Sequence, residues 1–260
     1  KITGLRLEPV AGVTLLSAVS AGHACEHPLR WRGRKKALLT LSAAAPFRPD
    51  LDENGLLAQI QLDLGQVISA QLRPIYPQDN WADSYNNQLP EVSQMQVLIE
   101  YTAHPDACFH LEHAALLPVR EVESQSAPEV LSVIPAAQER VRLRVLDAAS
   151  RQPLAVKLHL HGLYGEYLAP VDRHRILNPA WYEDYSVDFY HGELHPCTYI
   201  DGETSVNLPR GKVFLEVSKG FEIRPIRKIV EIAPGQEELV LEVETALPWR
   251  ERGWVTADTH

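Results

Sequence analysis

Eleven histidines and three cysteines are the side chains here best suited to binding a metal or moving a proton. His159 and His161 stand two apart, between Leu158, Leu160 and Gly162. On a strand that spacing puts both imidazoles on one face, where a third donor from elsewhere would complete a metal site. Alternation with apolar neighbours assigns them instead to a solvated outer face. His23, Cys25 and His27 have the same spacing, and His104, Cys108, His110 and His113 form a second group. The two runs could share one zinc ion between strands, although neither has the paired C-x-x-C spacing of a dedicated site. Cys25 and Cys108 could alternatively form a disulfide, which would place the chain in an oxidising compartment; a secreted or periplasmic location is favoured over a cytoplasmic one.

Two aromatic stretches could bind rather than react. The segment Tyr76-Pro-Gln-Asp79-Asn80-Trp81-Ala-Asp83-Ser-Tyr85-Asn86-Asn87 mixes rings, carboxylates and amides, as loops that hold sugars or calcium do, and as ordinary polar loops also do. Asp79 and Trp81 are its candidate contacts. Residues 164–199 hold eight aromatics: Tyr164, Tyr167, Trp181, Tyr182, Tyr185, Phe189, Tyr190 and Tyr199. That is enough apolar area to pack on its own sandwich or to present a surface to a ligand or neighbouring domain. Trp181, Tyr182, Asp184, Tyr185, Tyr190 and His191 are the candidates there. A carbohydrate or small-molecule ligand suits such a surface, and a stand-alone β-sandwich module that binds carbohydrate or peptide is the alternative reading of the chain. No Gly-x-Ser-x-Gly elbow, phosphate-cradling glycine loop or dinucleotide fingerprint occurs.

The elements that must position these groups read as strands. Ile60, Leu62 and Leu64 alternate with Gln61 and Asp63, and Ile68, Ala70 and Leu72 continue beyond Gly65-Gln66, which predicts a hairpin. Leu56, Ile60, Leu64 and Val67 would also fit a helix over 56–68, but the alternation persists on both sides of the glycine. Met95, Val97, Ile99 and Tyr101 alternate likewise. Residues 123–139, rich in Ser and Pro, mark a boundary. Beyond it Val141, Leu143 and Val145 alternate with Arg140, Arg142 and Arg144, and Val156, Leu158 and Leu160 with Lys157, His159 and His161. Strands follow near Val206, Val213–Val217, Ile226–Ile232 and Leu239–Val243, punctuated by Pro209-Arg210-Gly211 and Pro234-Gly235. The fold class is all-β, with two tandem antiparallel β-sandwich domains. Residues 1–137 form the first, jelly-roll or Ig-like. Residues 138–248 form the second, interrupted by a long aromatic insertion at 162–198. Val10–Ala21 fits a buried strand better than the core of a signal peptide, because Glu8 and Pro9 precede it and polar residues interrupt it.

The net charge of −9 is spread over both halves of the chain, which argues against nucleic acid as a partner. The basic run Arg30, Arg32, Arg34, Lys35 and Lys36 reads as a solvated loop. No apolar run approaches the ~18 residues of a membrane-spanning helix.

Two resemblances sharpen the reading. Val-Arg-Leu-Arg-Val-Leu-Asp147-Ala-Ala-Ser-Arg-Gln-Pro153-Leu-Ala-Val resembles the opening of transthyretin-like, or carboxypeptidase-regulatory-like, domains. In these an Asp ends the first strand, and Pro with an apolar residue begins the second. Ser150 and Arg151 stand where the usual turn glycine would be. At the other end, Gly253-Trp254-Val-Thr-Ala-Asp258-Thr-His260 resembles the start of the catalytic barrel in PHP-superfamily metallohydrolases of the CehA/McbA-like branch. Asn178-Pro-x-Trp181-Tyr-Glu-Asp184, Tyr199-x-Asp201-Gly202, Leu208-Pro-x-Gly211 and Glu216-Val-Ser-Lys219-Gly220-Phe221-Glu222-x-Arg224-Pro225 are similar to the β-domain that precedes it.

The resemblance covers residues 138–260 well and 1–137 weakly. It implies a parent enzyme that hydrolyses ester, carbamate or phosphoester bonds with a divalent metal, zinc, manganese or iron. His260 would be a metal ligand and Asp258 its neighbour, residues 249–260 being the start of a catalytic domain otherwise missing from the sequence. Those two donors do not make a tight site, so the chain by itself is expected to be catalytically silent and to partner that domain.

Overall fold

The computed structural model describes residues 6, 8, 12–13, 34–42, 45–53, 55–84, 88–112, 116–124, 130–171 and 195–255, and as backbone strands 175–178, 183–186 and 189–191. Val10–Ala21 as a unit, His23, Cys25, His27 and His113 fall outside that set, so the strand, disulfide and zinc readings that depend on them find no test here.

The chain is all-β. Its first half contributes β1 (Lys35–Thr40), β2 (Ile60–Leu62), β3 (Gly65–Ile75), β4 (Glu91–Ala103), β5 (Cys108–Leu111), β6 (Leu117–Pro118) and β7 (Leu131–Val133), with one short helix, α1 (Val119–Glu123). One sheet runs β3-β4-β1-β7 and another β2-β5-β6. They share a core in which Ala37, Leu39, Val97, Ile99 and Tyr101 of the first sheet meet Ile60, Phe109 and Leu117 of the second. The expected hairpin is instead a crossing between sheets. β2 pairs with β5, and β3 pairs with β4. Gly65 marks the crossing, where a Cβ would stand 2.3 Å from the Thr102 carbonyl oxygen, so no side chain fits. The helix alternative over 56–68 is absent as well.

The basic run is also corrected at its end. Lys35 and Lys36 open β1 rather than a loop; Lys35 pairs with Glu123 at 2.6 Å, and Lys36 Nζ donates to the Tyr167 carbonyl at 2.9 Å.

The second half contributes β8 (Glu139–Asp147), β9 (Val156–His161), β10 (Arg175–Asn178), β11 (Glu183–Ser186), β12 (Phe189–His191), β13 (His195–Ile200), β14 (Glu203–Leu208), β15 (Gly211–Ser218), β16 (Ile226–Ile232) and β17 (Glu238–Val243). A five-stranded sheet, β12-β13-β9-β15-β16, faces a three-stranded one, β14-β8-β17. Between them lie Val141, Leu143 and Val145 of β8, Leu158 and Leu160 of β9, Val213, Leu215 and Val217 of β15, and Leu241 and Val243 of β17. Each such side chain contributes roughly 1.5–3 kcal/mol by leaving water. The pairing is antiparallel except for β17, which lies parallel to β8.

The insertion is partly sheet. β10 pairs with β11 as a separate hairpin, and β12 pairs with β13, extending the five-stranded sheet. In the turn after β8 the Asp147 carboxylate accepts from the Ala149 and Ser150 amides at 3.2 and 2.7 Å and from the Thr245 hydroxyl at 2.9 Å. These bonds hold its pKa below the ordinary range. Arg151 takes the left-handed conformation, φ 61°, where the related turns carry glycine. No helix among the described residues is long and apolar enough to cross a membrane.

Candidate functional site

The two sandwiches meet by exchanging loops. From the first, the segment after β3 carries Tyr76 and, in a single 3-10 turn, Trp81. Both lie on the outer face of the five-stranded sheet, where they cluster with Phe214 of β15 and Ile229 of β16. From the second, the turn after β9 lies on the outer face of the first sandwich. Tyr164 packs there against Leu38, Leu98 and Ile134, and Arg73 Nε donates to the Tyr164 carbonyl at 2.9 Å. Gly165 belongs in this contact because a Cβ would come within 2.4 Å of the Pro74 carbonyl oxygen. Glu166 is buried beside the same turn. Burial pushes its carboxyl up, against the opposing pull of its backbone hydrogen bonds, Lys36 and Arg73.

The covered face holds three imidazoles. His159 and His161 of β9 are buried, not solvated, and His195 of β13 joins them. The solvated-strand expectation fails because it considered only the second sandwich: the residues that dry this face come from 76–84. The His159 and His195 ring centroids are 3.7 Å apart. His161 stacks on Tyr76 at 3.8 Å and on Phe214 at 4.9 Å, with the Trp81 ring edge-on at 4.9 Å.

Hydrogen bonding assigns the tautomers. His159 Nδ1 faces the Pro196 carbonyl, which can only accept, so Nδ1 carries the proton. His159 Nε2 is then an acceptor, and His161 Nδ1, 3.0 Å away, must donate to it. His161 Nε2 is left as a lone pair with no hydrogen-bond partner. Tyr76 Oη lies 3.1 Å from His195 Nδ1, and the other His195 nitrogen, without a hydrogen-bond partner, stands 3.7 Å from Glu216. Burial, with His195 nearby, lowers the His159 pKa to about 3, and burial holds His161 well below the usual imidazole range.

Glu216 and Arg227 complete the cluster. Arg227 Nε donates to Glu216 at 2.7 Å, and its other donors reach the Ser84 carbonyl at 2.8 Å and hydroxyl at 3.1 Å. Its guanidinium lies 4.0 Å over the Trp81 ring. Burial acts to raise the Glu216 carboxyl, but contacts from His195 and Arg227 outweigh it and bring the value to about 2. The Trp81 indole nitrogen donates to the Leu215 carbonyl at 2.9 Å. The arrangement pins one sandwich to the other with charge-assisted bonds in a dry setting. Among the described residues no three metal-ligating side chains, these imidazoles included, are placed so that they could hold a metal ion.

The expected site residues fare unequally. Trp81, expected as a surface ring for a ligand, is 1% exposed and is spent on the second sandwich. Asp79 remains at the surface and pairs with Lys212 at 2.6 Å, a second tie between the same loop and β15. Asp184 and Tyr185 fall on β11, opposite Leu177 and Ile176, and Tyr190 and His191 on β12, opposite Pro196 and His195. Trp181, Tyr182, Asp258 and His260 lie outside the described residues. Of the second zinc group, His104 sits 3.6 Å from Asp106 and His110 3.7 Å from Asp63, while Cys108 is half-buried in β5.

Sequence reading missed Phe214, His195 and Arg227, and met Glu216 only inside a family motif. One signal was there. Val213-Phe214-Leu215 has no alternation, so β15 is apolar on both faces, and Ile229 does the same for β16.

No family model and no curated protein matches the chain. Among solved structures it is similar to the group B streptococcus pilus 2b backbone protein, at 11% identity and a TM-score of 0.30, over 86% of this chain and 92% of that one. It is also similar to BcpA*(D312A), the major pilin subunit of Bacillus cereus, at 9% identity and a TM-score of 0.25, over 84% and 60%. Scores this low carry no inference about what this chain does.

Proposed function

We propose that this chain is the non-catalytic accessory region of a metal-dependent hydrolase of ester, carbamate or phosphoester bonds. Its two sandwiches support a catalytic domain that starts at residues 249–260, carries Asp258 and His260, and is partly walled by the aromatic insertion. One observation of the structure supports the reading. Where the resembling motif Gly253–His260 leaves the second sandwich, apolar side chains stand in water: Phe221 is 79% exposed, Trp254 64% and Val255 87%, with Leu247 also exposed. Backbone bonds from Ala246 and Leu247 to the Glu222 carbonyl bring Phe221 and Leu247 together, and Trp254 packs edge-on against Trp249 at 6.2 Å. A covering domain gives such a patch a use. In this reading Asp258 and His260 supply two donors, fewer than the three or four protein ligands of a catalytic metal site.

The test is the full gene product of the source, purified and assayed with zinc, manganese and iron on aryl ester, carbamate and phosphoester substrates. Metal-dependent hydrolysis, absent from residues 1–260, is the expected result. A full gene product without it overturns the reading, and unchanged turnover after removal of 164–197 removes the walling role.

A further inference from the structure

We propose that the contact between the two sandwiches is an acid-released latch, opened by protonation of His159 and His161 beneath the loop 76–84. The geometry leaves nowhere to put an added proton. A proton on His159 or His161 must enter at a nitrogen now used as an acceptor. At His159 Nε2 it breaks the bond from His161. At His161 Nε2 it creates an N–H with no acceptor, enclosed by Tyr76, Phe214 and Trp81. Among the described residues, the nearest carboxylate to the three rings is Glu216, 3.7 Å from His195.

The charged and titratable groups packed on the cluster come from every neighbouring element. They are Glu216 on β15, Arg227 on β16, Tyr76 from the first sandwich, and Tyr167, whose ring stacks on His159 at 6.3 Å. Glu216 and Arg227 already neutralise each other. Burial is the largest penalty for a charge on His159 or His161; Arg227 adds to it at both, and Glu216 offsets part of it at His159. Opening admits water and lets each imidazole take a proton freely.

The sign follows from the direction of the histidine shifts. An imidazole held below its ordinary value of 6.5 favours the closed form above that pH and opposes it as pH falls towards about 3. Each such histidine favours opening by about tenfold per pH unit within that window. Glu166, in the other contact zone, acts in the opposite sense, because burial raises its carboxyl above the ordinary 4.5. Release is therefore driven at the upper end of the histidine window and opposed as Glu166 takes its proton. Glu216 is lost only as the pH falls towards 2.

Amide hydrogen exchange on the intact chain at a series of pH values from 7.5 to 4.5 tests this without any variant. Corrected for intrinsic rates, protection in 75–84 and 158–161 should fall at least about tenfold while β8, 139–147, stays protected. Unchanged protection at the loop overturns the proposal. So does a simultaneous loss in β8, which would be ordinary acid unfolding. His161→Phe keeps the stack between Tyr76 and Phe214 without a titrating group, and should reduce the pH dependence of opening by about one proton; an unaltered dependence removes His161 from the latch.

Discussion

Strands β8 and β9 have nearly the same pattern, apolar residues alternating with basic ones, yet their outer faces end in opposite environments. On β8, exposed Arg142 pairs with Glu203 of β14 at 2.6 Å, and half-buried Arg144 reaches Glu238 of β17 at 3.4 Å. On β9, His159 and His161 lie in a dry contact under Tyr76 and Trp81. Period-two alternation identifies two faces of a strand but not what covers them. The composition of the outer face carries the difference. Arginine in a cross-strand ladder stays solvated at little cost, whereas neutral imidazole tolerates burial and serves as both donor and acceptor.

The largest effect is expected where the covered face depends on one ring. Trp81→Ala removes the side chain over Arg227 and His161 and the donor to Leu215, and should cost about 3–5 kcal/mol in denaturant unfolding. It should also turn the outer face of β9 into one like that of β8. His159 and His161 would then titrate near 6.5 by NMR. A loss below about 1 kcal/mol with the imidazoles still neutral at pH 5 would break the comparison.

Next comes the buried ion pair of Glu216 and Arg227 on the covered side. Glu216→Gln removes the carboxylate that faces buried Arg227 and should cost about 2–3 kcal/mol at pH 7. The wild-type carboxylate stabilises the fold above its ordinary value of 4.5, and that contribution fades as pH falls to about 2. The difference between wild type and variant should accordingly shrink in acid melts.

How much of this was legible depends on whether the cause was local. The strands of the second sandwich, the turn signals at Pro209–Gly211 and Pro234–Gly235, and the Asp147 turn follow from neighbours a few residues apart, and they stand where alternation puts them. The covered face of β9 is set by Tyr76 and Trp81, some eighty residues upstream in another sandwich, and no period within β9 encodes that. The crossing at Gly65 was hidden for the same reason, since the obstacle is the Thr102 carbonyl. Trp81 was singled out from its composition, but the loop's outward-facing reading ignored how readily an indole with one donor finds a buried acceptor.

On the solvated side the backbone should outweigh the charges. Arg151 holds φ 61° and pairs with Glu242 of β17, with both side chains about half exposed. Left-handed geometry costs a side-chain-bearing residue roughly 1–2 kcal/mol, while an exposed pair gives about 0–1. Arg151→Gly should therefore stabilise the protein by about 0.5–1 kcal/mol in thermal melts, despite losing the pair. A destabilised variant would mean that the ladder on this face contributes more than solvated charges should.

The smallest effect belongs to the ladder itself. Arg142→Ala removes a two-pronged contact with Glu203, at 2.6 and 2.8 Å, that would be worth several kcal/mol in a dry setting. Its side chain is 56% exposed and that of Glu203 42%, so water solvates both charges once they part. Arg144, 3.7 Å from the same carboxylate, remains as a substitute partner. The expected change in denaturant unfolding is a loss at the limit of detection, smaller still in 1 M salt where the Debye length shrinks to about 3 Å. A loss as large as that from Glu216→Gln would mean that the outer faces of β8 and β9 differ in residue type but not in environment, and that the ladder is covered too.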